Sequence, residues 1–230
     1  NNEPAVMLSP LATDNENAEE NEIPFLLLPD KDEYVGGLKK NRDETTKLAM
    51  AAYSGRENRI VEIDGKYFFI QVFPRQDQLL IIGAGHITIP LVRFAKELEF
   101  STAVIDPRSV FSNPERFDVP PDQLISKWPD QILNEWPLNE DTYAILLTHD
   151  PKIDDPALEI LLKHNLPYIG ALGSKRTHAK RCERLEKVGI DKDSIKQING
   201  PAGADIGAQT AAEIALSMIA EVIAAKRGRL

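Results

Sequence analysis

Two different rhythms of apolar residues run along this chain, and they change over near residue 75. Upstream, Ile60-Val61-Glu62-Ile63 and Lys66-Tyr67-Phe68-Phe69-Ile70 read as two short strands. Between them stands Asp64-Gly65, a pair that accepts the positive φ of a type I′ turn, so a β-hairpin is expected. Pro74 and the polar run Arg75-Gln76-Asp77 then break the pattern and mark a domain boundary. Downstream, short apolar runs alternate with helix-length segments, the mark of βαβ units around a parallel sheet. Strands are expected at 79–82, 102–105, 143–147 and 167–169. Helices are expected at 86–98, from Pro156 behind an Asp155 cap, and at 175–188 up to Gly189. A last one begins at Thr210, where Thr210-Ala211-Ala212-Glu213 forms a capping box. The reading is an α/β fold: a Rossmann-like doubly wound parallel sheet over residues 76–230, preceded by a small, partly β N-terminal segment over residues 1–75.

Composition narrows the partners. Residues 1–40 carry nine acids against three bases, which reads as a solvated acidic tail or linker. Within it only residues 23–28 are apolar enough to dock. The whole chain of 230 residues has a formal charge of −9, which argues against a nucleic-acid surface, since phosphate backbones are bound by clustered Lys and Arg. The longest apolar stretch, residues 214–225, is broken by Ser217 and Glu221, so neither a membrane span nor an anchor is expected. No basic segment followed by an apolar one opens the chain, so no secretory signal is expected, and the numbering is compatible with a start inside a longer protein. One cysteine, Cys182, fits a reducing compartment, the cytoplasm being the default.

The strongest chemical signal is Leu79-Leu80-Ile81-Ile82-Gly83-Ala84-Gly85-His86, a buried strand that turns through two glycines into a helix. Gly83 permits the turn, and Gly85 lets backbone approach a pyrophosphate at the helix N-terminus. Asp106, about 20 residues on at the end of the next strand, stands where a ribose-binding carboxylate is expected, with Arg108 beside it. A second turn, Gly170-Ala171-Leu172-Gly173-Ser174-Lys175-Arg176, leads into a helix whose first turn is cationic. That charge opposes the helix dipole, so either an anion sits there or the helix start is simply solvated. Thr148-His149-Asp150 leaves another strand at the same end, as acid, base or phosphate donor, or only as the start of a turn. The loop holding Gly203, Asp205 and Gly207 precedes the last helix, its small residues serving a ligand or close packing. No metal site is expected, since no His or Cys spacing supports one, and no catalytic residue is assigned. His164 and His178 are expected on helix surfaces, and Cys182 as a bystander thiol without a base partner.

Taken with Ile105-Asp106-Pro107-Arg108, Asn113-Pro114-Glu115-Arg116-Phe117, Leu147-Thr148-His149-Asp150 and Gly203-Ala204-Asp205-Ile206-Gly207-Ala208, these motifs resemble the XdhC/CoxI family of xanthine dehydrogenase accessory proteins over roughly residues 76–228. The resemblance implies a molybdenum-cofactor chaperone. Such a protein binds molybdopterin cofactor, supports its sulfuration with a cysteine desulfurase, and assists insertion into a xanthine dehydrogenase-type molybdenum hydroxylase. It leaves room for a homodimer and makes an accessory protein a better expectation than an enzyme. Two positions depart from the family: Thr88 stands where members usually carry glycine, and no cysteine precedes residue 76, where members carry a glycine-rich, cysteine-bearing motif. Two other readings compete. One is an NAD(P)-dependent oxidoreductase with NAD on Asp106 and His149 as acid or base. The other is an interaction module that keeps the fold and has lost its ligand. The first predicts NADH binding, the second a collapsed crevice.

Overall fold

Alternation of buried and exposed side chains organises the first of two units, Asn1–Arg75. The computed structural model describes residues 3–11, 24–31, 33–36 and 41–230. The first unit holds strands β1 (Ala5–Pro10), β2 (Phe25–Leu28) and β3 (Glu33–Val35), helix α1 (Arg42–Gly55), and strands β4 (Arg59–Ile63) and β5 (Lys66–Phe73). Their order is β3-β2-β1-β5-β4, antiparallel throughout. The expected hairpin is β4–β5, closed at Ile63 and Lys66, with Asp64 and Gly65 at φ of 52° and 75° as a type I′ turn requires.

Part of the stretch expected as an acidic tail is therefore sheet. Val6 and Leu8 of β1 and Phe25 and Leu27 of β2 point into a core with Ile70 and Val72 of β5 and Ala49 and Ala52 of α1. Phe25–Leu28 of the run 23–28 is thus a strand of this sheet rather than a docking segment, and Ile23 lies outside the described residues. The reason is a pairing of β1 with β5 across some 60 residues, which no local charge pattern reveals. Residues 12–23, 32 and 37–40, with Asp14, Glu16, Glu19, Glu20, Glu22 and Asp32, lie outside the described residues.

In the second unit, Gln76–Leu230, the strands are apolar on both faces. β6 (Gln78–Ile82) sends Leu80 and Ile82 to one side and Leu79 and Ile81 to the other, all fully buried, as a central parallel strand must. The remaining strands are β7 (Ser101–Ile105), β8 (Gln123–Ile125), β9 (Thr142–Leu146), β10 (Tyr168–Ala171) and β11 (Ile198–Asn199). Every pairing is parallel and the order is β11-β10-β9-β6-β7-β8. This is the doubly wound Rossmann arrangement read from the sequence. Helices α2 (Thr88–Glu97) and α7 (Ala211–Lys226) pack on one face. Helices α3 (Pro129–Leu133), α4 (Pro151–Leu161), α5 (Lys175–Lys187) and α6 (Lys192–Ile195) pack on the other. Among the described residues no helix is long and apolar enough to cross a membrane.

Two helix starts show how caps are chosen. At α7 the expected box is present: Thr210 Oγ1 accepts from the Glu213 amide at 3.2 Å, and Glu213 Oε2 accepts from the Thr210 amide at 2.9 Å. Thr210→Ala should cost about 1 kcal/mol in denaturant unfolding, a direct check on the cap. The helix expected from Pro156 instead begins a turn and a half earlier, at Pro151. Asp150 caps it by accepting from the Lys152 amide at 3.0 Å, and Pro156 lies inside. Asp155 is not a cap because its carboxylate is held by Arg184 of α5, Nε at 2.5 Å and Nη2 at 2.9 Å.

Candidate functional site

Because β6 leads outward to β7 and β8 while β9 leads the other way to β10 and β11, the strand order reverses between β6 and β9. Turns leaving the carboxyl ends of such adjacent strands flank a crevice. Ile82 pairs with Leu146, so Gly83 and Leu147 leave the sheet side by side. Gly83 has φ of 108°, and a Cβ there would lie 2.7 Å from Thr148 Cγ2 and 3.2 Å from the backbone of Leu147 and Thr148. Its smallness brings two turns together. Gly85 is different, since a Cβ on it would meet open space. Thr88, where a third glycine is usual, is fully buried and donates its hydroxyl to the Gly83 carbonyl at 2.7 Å, so it latches the turn.

Asp106 does not stand ready for a ribose. Its side chain is fully buried, and Oδ2 accepts from the Ala84 amide at 2.8 Å and from Arg108 Nη2 at 2.7 Å. Oδ1 accepts from the Arg108 amide and Nε, each at 2.9 Å. Burial alone would raise this carboxyl's pKa, but the donors from Arg108 and Ala84 outweigh it and hold the group below the ordinary carboxylate range. Arg116, not singled out from spacing, completes the brace. Its Nη1 donates to the Ala84 carbonyl at 2.5 Å and to that of Phe111 at 2.8 Å. The turn is thus gripped from below by Asp106, Arg108 and Arg116.

Beyond Thr148 lies a cavity of about 260 Å³ between α4 and α5, lined by His149, Pro151, Asp154, Arg176, Thr177, Lys180, Arg181 and Arg184. His149 sits at its mouth with φ of 59°, a left-handed conformation that is costly outside glycine and often kept where geometry serves a site. Thr148 joins the cavity to the glycine turn, donating its hydroxyl to Asp154 Oδ1 at 2.5 Å. Burial pushes the Asp154 carboxyl above its usual range even though Thr148 and Arg181 pull it down. Arg181 is 2% exposed and donates Nη2 to the Leu172 carbonyl at 2.9 Å. Its Nε and Nη1 are buried without a partner, and Asp154 Oδ2 stays 3.7 Å away from Nη2. Among the expected residues the structure brings His149 and Arg176 to this cavity. Asp154, Thr177, Lys180, Arg181 and Arg184 were not anticipated there. Their spacing of 176, 180, 181 and 184 on one helix was the available signal, but a basic helix face is usually solvated.

The other expected residues are spread along the same rim. His86 is exposed just before α2, and Asp150 serves as the α4 cap. Gly173 crowds Thr177, Ser174 caps α5 by accepting from the Thr177 amide at 3.1 Å, and Lys175 is exposed. Asp205 and Gly207 are exposed. Gly203 permits close packing, for a Cβ would strike Ser217 of α7, and its amide donates to Glu221 Oε2 at 2.6 Å. His178, expected on a surface, has its Nδ1 buried against Gly200. It also stands 3.5 Å through Nε2 from Cys182 Sγ, so the thiol has a neighbour that spacing did not suggest. Burial raises the thiol pKa and lowers that of the imidazole, so the pair rests neutral and the thiol is not activated.

The chain is similar to several known proteins. The family model described as the XdhC Rossmann domain matches residues 79–222. A protein of Bacillus subtilis named as a probable xanthine dehydrogenase component is 34% identical over 159 residues, 69% of this chain and 46% of its own length. The molybdenum cofactor insertion chaperone PaoD of Escherichia coli is 39% identical over 85 residues, 37% of this chain and 27% of its own. An uncharacterized Escherichia coli protein, YqeB, is 29% identical over 69% of this chain and 29% of itself. The chain thus spans under half the length of each of these relatives. A solved structure of a xanthine dehydrogenase from Bacillus halodurans shares the fold, with a TM-score of 0.61 at 21% identity, over 99% of this chain and 93% of that one.

Proposed function

The chain belongs to the XdhC Rossmann-domain family, and on that footing we propose that it is a cytoplasmic accessory protein that binds molybdopterin cofactor for insertion into a xanthine dehydrogenase-type molybdenum hydroxylase. The observation that carries the reading is the turn at Gly83-Ala84-Gly85. It is braced beneath by Asp106 and Arg116 and open above at Gly85, on the crevice side of the sheet. Such a turn presents backbone to an anionic group without having to reorganise. When bound, the cofactor supplies the molybdenum chemistry that the recipient hydroxylase uses; this chain's residues hold and orient it. Arg176 and Lys180 add positive charge beside the crevice and draw a phosphate-bearing guest toward it.

Sulfuration with a cysteine desulfurase, and self-association as a homodimer, belong to the same reading. Cys182 is a poor sulfur carrier because its thiol is pushed up by burial, so the sulfur chemistry falls to the partner. An NAD-dependent oxidoreductase would rest the adenosine ribose on an acid at the end of the second parallel strand, and the Asp106 carboxylate there already accepts from four donors, which disfavours that reading. The test is retention. Protein purified from cofactor-rich cells should carry pterin, seen as fluorescence of its oxidised derivative. Gly85→Asp, which places a carboxylate in open space, should reduce retention by about tenfold or more with little change in melting temperature. No pterin on wild-type protein from such cells would overturn the proposal.

A further inference from the structure

We propose that the cavity between α4 and α5 is a subsite for a phosphate monoester, with the buried Arg181 guanidinium as its principal donor. This deepens the cofactor reading and rests on it only for the identity of the molecule that brings the phosphate in. A guanidinium almost wholly withdrawn from water, with two of its nitrogens unpartnered, is costly to bury. Those nitrogens, Nε and Nη1, suit the oxygens of a tetrahedral anion. Asp154 is ion-paired with Arg181 through Oδ2 and Nη2 at 3.7 Å, but it gives Nε and Nη1 no hydrogen bond, and its Oδ1 accepts from Thr148. Burial disfavours the charged form of Arg181, which an entering anion would favour, and the same burial holds the neighbouring Asp154 carboxyl above its usual range, which lessens its repulsion of an anion.

The rest of the lining fits the same guest. Arg184 is committed to Asp155 and acts as a wall, whereas Arg176 and Lys180 are exposed at the rim and complete the anion's coordination on the solvent side. The volume of about 260 Å³ exceeds a bare phosphate and leaves room for the first atoms of an organic substituent past His149. The cationic first turn of α5, which works against its own helix dipole, is then explained by a ligand charge.

The experiment titrates inorganic phosphate into the full chain free of cofactor, by calorimetry and by melting temperature, against chloride at equal ionic strength. Phosphate should bind and raise the melting temperature where chloride does not. Arg176→Ala/Lys180→Ala, both exposed, should weaken binding at least about tenfold with no change of melting temperature in chloride. Arg181→Met should abolish it. Adenosine 5′-monophosphate and molybdopterin, each added in competition, report whether a nucleotide or a pterin carries the phosphate. Equal responses to phosphate and chloride, or undiminished phosphate binding by the rim double variant, would overturn the subsite. Phosphate binding without pterin retention leaves the subsite standing and removes the cofactor reading; pterin retention without phosphate binding does the reverse.

Discussion

Gly83→Ala should destabilise the second unit by about 3–5 kcal/mol, from backbone strain at positive φ together with overpacking, whereas Gly85→Ala, two residues on, should change stability by less than about 0.5 kcal/mol. The difference follows from where each Cβ would go. At Gly83 it would press on the backbone of Leu147 and Thr148 at 3.2 Å, which cannot swing aside, and the residue would also have to hold φ of 108°. At Gly85 nothing lies within 4 Å. Thermal unfolding of the two variants side by side reads the result, with a drop on the order of 10 °C for the first. Equal melting temperatures would show that the β6 and β9 turns do not touch as described. The comparison also separates the two glycines by packing, one pressed against a neighbouring turn and one beside open space.

A second large loss is expected for Asp106→Ala, about 3 kcal/mol in denaturant unfolding. The buried Ala84 amide loses its acceptor outright. Arg108, about a third exposed, can turn to water, which keeps the cost from rising further. Asp106→Asn keeps the shape and loses the charge, so it isolates the electrostatic part and gives a pH signature. The folded-state pKa of Asp106 lies below its unfolded value. Its contribution is therefore fully present above the unfolded value, about 4, and is lost as pH falls through the folded one. The gap in melting temperature between wild type and Asp106→Asn should be constant from neutrality down to about pH 5 and shrink below about pH 4. A gap that stays constant through acid would remove Asp106 from the role of a charged brace. Because the brace supports the turn proposed to carry the cofactor, both Asp106 variants should also lose pterin retention.

Much of the second unit was legible because its signals are local. Leu79-Leu80-Ile81-Ile82 is a short apolar run ended by glycines, as a strand covered on both faces is, and Thr210 with Glu213 announces a helix start within four residues. Asp64-Gly65 likewise contains its own turn geometry. Other signals were ambiguous in the sequence itself. Asp150-Pro151 and Asp155-Pro156 carry the same cap signature, and Arg184, 29 residues from Asp155 along the chain, decides between them by taking its carboxylate. The short β8 and β11 have three and two residues, too few to show a period.

What the sequence determined alone is thus the four central strands after residue 75 and the helices between and after them, the parallel sheet they imply, and the glycine turn at its centre, all set by side-chain periodicity and by caps within a few residues. Tertiary structure decided the rest. It turned Asp106 from an expected ligand contact into a brace for Ala84, because Arg108 and that amide reach the carboxylate first. It also made sheet of β1 and β2 by pairing β1 with β5 from the other end of its unit. And it buried Arg181 behind α4 with two nitrogens unpartnered, on a helix whose sequence reads as a solvated basic face. Burial and partnering depend on what distant segments bring to a place, and neighbouring residues in the chain carry no record of that.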